Sequence, residues 1–265
     1  MPKILEVLEE ALDQGVDLSF DQYPYTATST SLSILLPGWA LEGGWRRFRQ
    51  CLDRPETHRK ILMELGKTIE QRGGPPSITI AAAPSSKNQR MVGKTLEQIA
   101  TDRGKPADRT ALDLLVEEKL QIIAIYHALS EKDVEAAMVH SLQIVGSDGI
   151  LGEFPHPRAY GTFPRVIHHF SGERKLFPLE EAIRKMTSGP ARRLNLKDRG
   201  QIARGYYADI LLFEPENFRD TATFENPKQF ATGLEWAFVN GVPVVEGGKL
   251  QKTFPGKIIK KNGGA

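Results

Sequence analysis

The order of apolar and polar positions predicts that helices and strands alternate along most of this chain. Residues 4–12 carry apolar side chains at helical spacing, and a glycine follows as a stop signal. Residues 16–21 alternate apolar and polar side chains, while residues 77–82 and 120–126 are short apolar runs, and these patterns are typical of strands. Helical spacing predicts further helices within these ranges: 40–72, 94–103, 107–119, 163–170 and 179–186. Such alternation favours parallel strands covered by helices on both faces of the sheet.

Another strand is predicted at residues 143–145, and it ends abruptly in the sequence Gly-Ser-Asp-Gly. Because the carboxyl ends of strands carry the chemistry in α/β barrels, Asp148 is the first candidate functional residue. An aspartate after a strand is also a common turn former or helix N-cap, and Gly149 suits a turn. Two arginines, a tyrosine and a histidine follow within seventeen residues, in a segment rich in proline and glycine. These neighbours favour the functional interpretation.

The pattern changes after residue 200, where short strands and turn residues replace the helices. Strands are predicted at these ranges: 201–203, 208–213, 234–240, 242–245 and 249–250. Asn240 and Gly241 form a strong hairpin signal between two of them. We therefore predict an α/β part at residues 1–198, a small all-β segment at residues 199–252 and a flexible basic tail at residues 253–265.

Composition and charge describe an ordinary globular protein and narrow its partners. The chain has 265 residues, of which 40% are hydrophobic and 26% charged, so it is long enough for one large barrel or two smaller domains. A net charge of +2 gives no reason to expect a nucleic-acid or membrane surface. The single cysteine, Cys51, excludes an internal disulfide. No apolar run approaches the roughly 20 residues that span a bilayer, and no signal-peptide pattern opens the sequence, which predicts a cytoplasmic protein.

Several short motifs, in this order, resemble the N-acyl-D-amino-acid deacylase (D-aminoacylase) branch of the amidohydrolase superfamily. They are Tyr-Pro-Tyr-Thr-Ala at residues 23–27, Gly-Ser-Asp-Gly at 146–149, His-Pro-Arg-Ala-Tyr-Gly-Thr-Phe-Pro-Arg at 156–165, Met-Thr-Ser-Gly-Pro-Ala at 186–191, and Gly-Gln-Ile-Ala-Arg-Gly-Tyr-Tyr-Ala-Asp-Ile at 200–210. The resemblance runs from the first residues to about residue 250 and corresponds to roughly the C-terminal half of such an enzyme.

The resemblance implies an α/β fold with part of a TIM-like barrel, about its last four strands, followed by a small all-β segment of the amidohydrolase β-sandwich. It implies zinc-dependent hydrolysis of the linear amide bond of an N-acyl-D-amino acid. Asp148 matches the aspartate that binds the metal and acts as general base on the attacking water. Arg158 matches the residue that pairs with the substrate α-carboxylate, where a planar guanidinium suits a carboxylate. Tyr23 and Ser29 match further polar contacts to the substrate.

The sequence departs from this family in its metal ligands. The family's His-x-His pair, its further metal-binding Cys and His residues and its lysine are not in place here. One carboxylate does not make a catalytic zinc site, which generally takes three protein ligands and a water. His127 follows the strand before that of Asp148 and His156 lies in the loop after it, so both are candidates for replacement ligands.

An incomplete barrel leaves strand edges unpaired, which predicts either self-association or pairing with a separately encoded N-terminal half. Two alternative functions remain open. One is a catalytically incomplete remnant or split-protein half that acts only through assembly with a partner. The other is a related amidohydrolase with another amide as its substrate.

Overall fold

The computed structural model of the protein describes residues 1–259. The last part of the predicted flexible tail, residues 260–265, lies outside the described residues. The chain forms two compact units. Among the described residues, unit one contains 1–24, 131–149 and 157–259, and unit two contains 25–130 and 150–156. This division does not separate residues 1–198 from residues 199–252, and the domain boundary after residue 198 stays a prediction.

The helices account for most of the regular structure. In chain order they are α1 (Pro2–Asp13), α2 (Gly38–Leu41), α3 (Gly44–Leu52), α4 (Pro55–Gln71), α5 (Ser86–Gln89), α6 (Leu96–Arg103), α7 (Ala107–Glu117), α8 (Glu131–Val139), α9 (Arg158–Arg165), α10 (Leu179–Met186) and α11 (Ser188–Arg193). Two 3₁₀ helices span Leu32–Leu35 and Pro75–Ser77, and a π-helix spans Val166–Glu173. The predicted helix at 163–170 is therefore divided between the end of α9 and the π-helix.

The strands form separate small sheets in the two units. In chain order they are β1 (Phe20–Gln22), β2 (Thr28–Ser31), β3 (Ile78–Ala82), β4 (Ile123–Tyr126), β5 (Gln143–Val145), β6 (Ile210–Phe213), β7 (Leu234–Val239), β8 (Val242–Glu246) and β9 (Lys249–Leu250). The sheet orders are β1-β5, β2-β4-β3 and β6-β7-β8-β9. The mixture of helices and sheets makes this an α/β protein, as predicted.

Unit two is built around the sheet β2-β4-β3, whose strands all pair antiparallel. The inward residues of β3 and β4 are buried, among them Ile80, Ala124 and Tyr126. Helices α4, α6 and α7 supply the facing apolar residues, including Leu65 and Leu115. Local signals begin and end these helices as their residue types predict: Pro55 occupies the first turn of α4, and a capping box opens α6.

The antiparallel pairing in unit two corrects the prediction of parallel strands there. Strand β2, Thr28–Ser31, has the sequence Thr-Ser-Thr-Ser and shows no apolar pattern, so sequence periodicity misses it. Because β2 and β3 both pair with β4, this sheet does not supply consecutive parallel barrel strands. Among the described residues, parallel pairing occurs only between β1 and β5.

Unit one contains the parallel pair β1-β5, in which Phe20 pairs with Gln143 and Gln22 with Val145. Helices α8 and α10 and the π-helix bury a small apolar cluster beside β5, which includes Met138 and Phe170. This core fixes the strand that leads to Asp148.

The C-terminal sheet of unit one confirms most of the predicted short strands. Strands β6 to β9 pair antiparallel, and Asn240 and Gly241 turn between β7 and β8 with φ values of 51° and 80°. Positive φ at both turn residues is what a two-residue hairpin requires. The predicted strand at 201–203 is wrong, because those residues are not in a strand.

No helix within residues 1–259 combines the length and the apolar character needed to cross a membrane. The cytoplasmic location stays a prediction.

Candidate substrate-binding site

Asp148 lies in the loop after β5 and has an unusual backbone conformation. Its φ is 45°, a left-handed value that is uncommon for residues other than glycine, although Asp and Asn adopt it more readily than most. Its side chain is 59% exposed. A Cβ added at Gly149 would lie 2.9 Å from the Cα of Ala159, so glycine lets this loop approach the start of α9 closely. The loop thus places a solvent-exposed carboxylate next to the start of α9.

Arg158, at the start of α9, binds the loop that carries Asp148. Its side chain is only 2% exposed. Its Nε donates a hydrogen bond of 2.9 Å to the backbone carbonyl of Asp148, and its Nη2 lies 2.5 Å from the Asp148 carboxylate. The guanidinium therefore binds both the backbone and the side chain of the same residue, which gives the left-handed conformation a specific partner.

Tyr23 completes this group because it directly follows β1. Since β1 and β5 are parallel neighbours, the residues after their carboxyl ends are delivered to the same edge. The Arg158 guanidinium lies 4.4 Å from the centroid of the Tyr23 ring, a cation–π distance. Burial raises the pKa of the Tyr23 hydroxyl above its ordinary value, and the nearby Asp148 carboxylate adds to this, while Arg158 opposes it.

Asp148, Arg158 and Tyr23 are thus brought together within unit one. A buried guanidinium next to an exposed carboxylate suits the binding of an anionic group from solvent, because a ligand carboxylate can replace the Asp148 side chain as the partner of the arginine. The neutral Tyr23 hydroxyl adds a hydrogen-bond donor at neutral pH.

The other predicted site residues belong to unit two. Ser29 lies in β2, opposite Ile125 of β4. His127 directly follows β4, and its backbone N–H donates to the carbonyl of Ser77. The buried ring of His156 contacts the backbone carbonyl of Ala27 through Nε2 at 3.0 Å and packs edge-on against Tyr25. The prediction that His127 and His156 serve the same site as Asp148 stays a prediction.

A zinc site needs several donor side chains that converge on one point. Within residues 1–259, no group of three or more His, Cys, Asp or Glu side chains is arranged to hold a metal ion. Asp148 alone does not meet the three-ligand requirement of a catalytic zinc site. The described residues therefore do not fit a complete zinc centre.

A second arginine, to which sequence reasoning gave no role, supports the Tyr23 loop. Arg165, at the end of α9, donates a hydrogen bond of 2.9 Å from Nε to the carbonyl of Pro24, and its Nη1 lies 3.4 Å from the carboxylate of Asp220. Arg165 ends the motif at residues 156–165 and lies about two turns from Arg158 in the same helix, α9. The signal was present in the spacing, since residues seven apart share one face of a helix.

Comparisons with known proteins show that the chain is similar to deacylases. D-aminoacylase from Alcaligenes xylosoxydans xylosoxydans is 33% identical over 261 residues, which cover 97% of this chain and 44% of that protein. A structure of D-aminoacylase, described by its binuclear metal centre, matches with a TM-score of 0.72 and 33% identity over 95% of this chain and 44% of its own. A zinc and phosphonate-inhibitor complex of N-acyl-D-glutamate deacylase from Bordetella bronchiseptica matches with a TM-score of 0.71 and 29% identity over 91% of this chain and 42% of its own.

The chain shares the α/β fold of these deacylases. The model of the amidohydrolase family matches residues 84–245, and the chain belongs to that family. It spans less than half the length of the relatives described above.

Proposed function

We propose that this chain is part of a hydrolase that removes the acyl group from N-acyl-D-amino acids. The observation that carries the proposal is its similarity to D-aminoacylase over 97% of its length. In the proposed reaction, water adds its hydroxyl group to the amide carbonyl carbon, the C–N bond breaks, and the nitrogen gains a proton. The products are a carboxylic acid and a free D-amino acid.

Arg158 is proposed to bind the substrate α-carboxylate. The guanidinium is buried and fixed by the backbone carbonyl of Asp148, so it is oriented before a ligand arrives. The substrate carboxylate would replace the Asp148 carboxylate on the guanidinium. Tyr23, whose ring packs on Arg158, and Ser29 are proposed as further substrate contacts.

Asp148 is proposed as the general base. Once the substrate occupies Arg158, the exposed Asp148 carboxylate is released to accept a proton from the attacking water. Substrate binding and base activation would then be linked through one arginine.

Asp148 is also proposed as one ligand of Zn²⁺, the metal in the complex of the related N-acyl-D-glutamate deacylase. Because the described residues do not supply the other ligands, the active form would require them from a partner chain. This partner is proposed to be an N-terminal half or a second copy, and the parallel pair β1-β5 is proposed as part of a barrel that the partner completes.

The activity proposal is tested by assaying N-acetyl-D-amino acids with the full chain, alone and with an N-terminal half of a D-aminoacylase. Arg158→Lys should raise KM more than it lowers kcat, because lysine keeps the charge but lacks the planar guanidinium that binds a carboxylate through two hydrogen bonds. Asp148→Asn should lower kcat with little change in KM. Arg59→Lys, on the exposed surface of α4, is the matched control and should leave both unchanged.

Sedimentation at micromolar concentration tests the assembly separately, and we expect a species larger than one chain. A folded monomer that neither associates nor binds the N-terminal half contradicts the pairing. A complex that forms but shows neither zinc by elemental analysis nor turnover contradicts the deacylase proposal and favours a role in assembly alone.

A further inference from the structure

A polar cavity lies in unit one at the opposite end of the parallel strands from Asp148. It has a volume of about 320 Å³. Its walls come from residues just before β1, residues just before β5, and helices α10 and α11. We name it the basic pocket; its polar lining residues are Asp17, Ser19, Ser141, Arg184, Arg192 and Arg193.

Positive charge dominates the basic pocket. Three arginines and one aspartate line it, which leaves a formal charge of +2. Arg184 is held by Glu181 through two hydrogen bonds of 2.6 Å, so its guanidinium is fixed in position. Arg192 forms no salt bridge with any described residue.

Arg193 pairs with Asp17 in two ways. Its Nη2 donates a hydrogen bond of 3.1 Å to the backbone carbonyl of Asp17, and its Nη1 lies 2.9 Å from the Asp17 carboxylate, whose side chain is 95% exposed. Ion pairs between exposed groups contribute little, because water and salt screen them. A stronger anion can therefore displace the Asp17 carboxylate from Arg193 at small cost, while the backbone hydrogen bond keeps the guanidinium in place. Within the same cavity, Ser19 and Ser141 offer hydroxyl donors.

We propose that the basic pocket binds a phosphate group, either inorganic phosphate or the phosphate of a small ester. A phosphate carries between one and two negative charges at neutral pH, which complements the positive lining, and its oxygens match the planar donor groups of guanidinium side chains. The volume falls within the range of small-molecule sites. The site differs from the Asp148 group, which follows the carboxyl end of β5, while Ser141 precedes its amino end.

The test measures binding of inorganic phosphate and of glycerol phosphate to the full chain by calorimetry, at constant ionic strength set with sodium chloride. Arg192→Gln and Arg193→Gln should each weaken phosphate binding by about tenfold or more, the usual effect of losing a hydrogen bond to a charged group. Asp17→Asn should tighten binding, because it removes the carboxylate that competes for Arg193. Arg59→Gln removes the same charge from an exposed position that does not line the pocket, and it should leave binding unchanged.

Tighter binding of the ester than of inorganic phosphate would identify a phosphorylated small molecule as the ligand, and equal binding would identify inorganic phosphate. The proposal is overturned if neither probe binds beyond the chloride control, if Arg59→Gln weakens binding as much as Arg192→Gln, or if Asp17→Asn weakens it. None of these measurements requires hydrolase activity, so the result is independent of the proposed function.

Discussion

Replacing Arg158 with lysine should destabilise the chain more than removing its carboxylate partner. Arg158 is 2% exposed, and its Nε bonds the Asp148 carbonyl at 2.9 Å. Lysine keeps the buried charge but cannot reach both the carbonyl and the carboxylate with a planar fork. Loss of one hydrogen bond from a charged group costs about 1.5–3 kcal/mol, so we expect a loss of about 2 kcal/mol in the free energy of unfolding.

Asp148→Asn should cost less, about 1 kcal/mol or below, because the Asp148 side chain is 59% exposed and the backbone carbonyl still accepts from Arg158. Urea unfolding followed by far-UV circular dichroism measures both variants, with equal slopes required before the midpoints are compared. Arg59→Lys serves as the exposed control. The reasoning is refuted if Arg158→Lys unfolds within about 0.5 kcal/mol of the unmodified chain, or if Asp148→Asn costs more than Arg158→Lys.

Three further changes test the fold. Burial lowers the pKa of Lys185 from 10.5, so the folded chain binds fewer protons than the unfolded chain, and its stability relative to Lys185→Met should rise as pH increases toward 10.5. Burial would raise the pKa of Glu118, but hydrogen bonds from Ser85 and Asn88 outweigh this effect and hold the pKa below 4.5. The stability advantage of the unmodified chain over Glu118→Gln should therefore be complete above pH 4.5 and disappear as pH falls through the folded-state pKa. Gly233→Ala should cost more than about 2 kcal/mol in urea unfolding, because φ is 79° and the added Cβ would clash with backbone atoms.

Each of these changes has a matched control at an exposed position. For Lys132→Met, the difference in unfolding free energy from the unmodified chain should not rise comparably with pH. Glu97→Gln should not change how the unfolding free energy falls at acid pH. Gly256→Ala, where an added Cβ meets nothing within 4 Å, should leave the unfolding free energy nearly unchanged. A Lys185→Met chain with the same alkaline pH profile as the unmodified chain would contradict the burial argument. If Glu118→Gln loses stability at acid pH as the unmodified chain does, the hydrogen-bond argument for Glu118 is contradicted. If Gly233→Ala is as stable as the unmodified chain, the backbone argument for Gly233 is contradicted.

Features that depend only on neighbouring residues could be predicted from the sequence. Apolar runs gave the positions of β3, β4 and β5, and Asn240 and Gly241 gave the hairpin, since strand period and positive φ are local properties. The motifs also indicated the amidohydrolase family, which the family match confirms. Asp148 and Arg158 were chosen from one short segment for the same reason.

Which of these segments contact each other depends on the folding of the whole chain, which local patterns do not reveal. The polar strand β2 pairs with β4, about ninety residues further along the chain, so the sheet of unit two is antiparallel where local alternation predicted parallel strands. Tyr23 reaches Arg158 only because β1 and β5 pair side by side. The basic pocket combines residues near positions 17, 141 and 190, and no local pattern connects them. Pairing and packing between distant segments depend on the shape and burial of the whole unit, which periodicity along the chain does not contain.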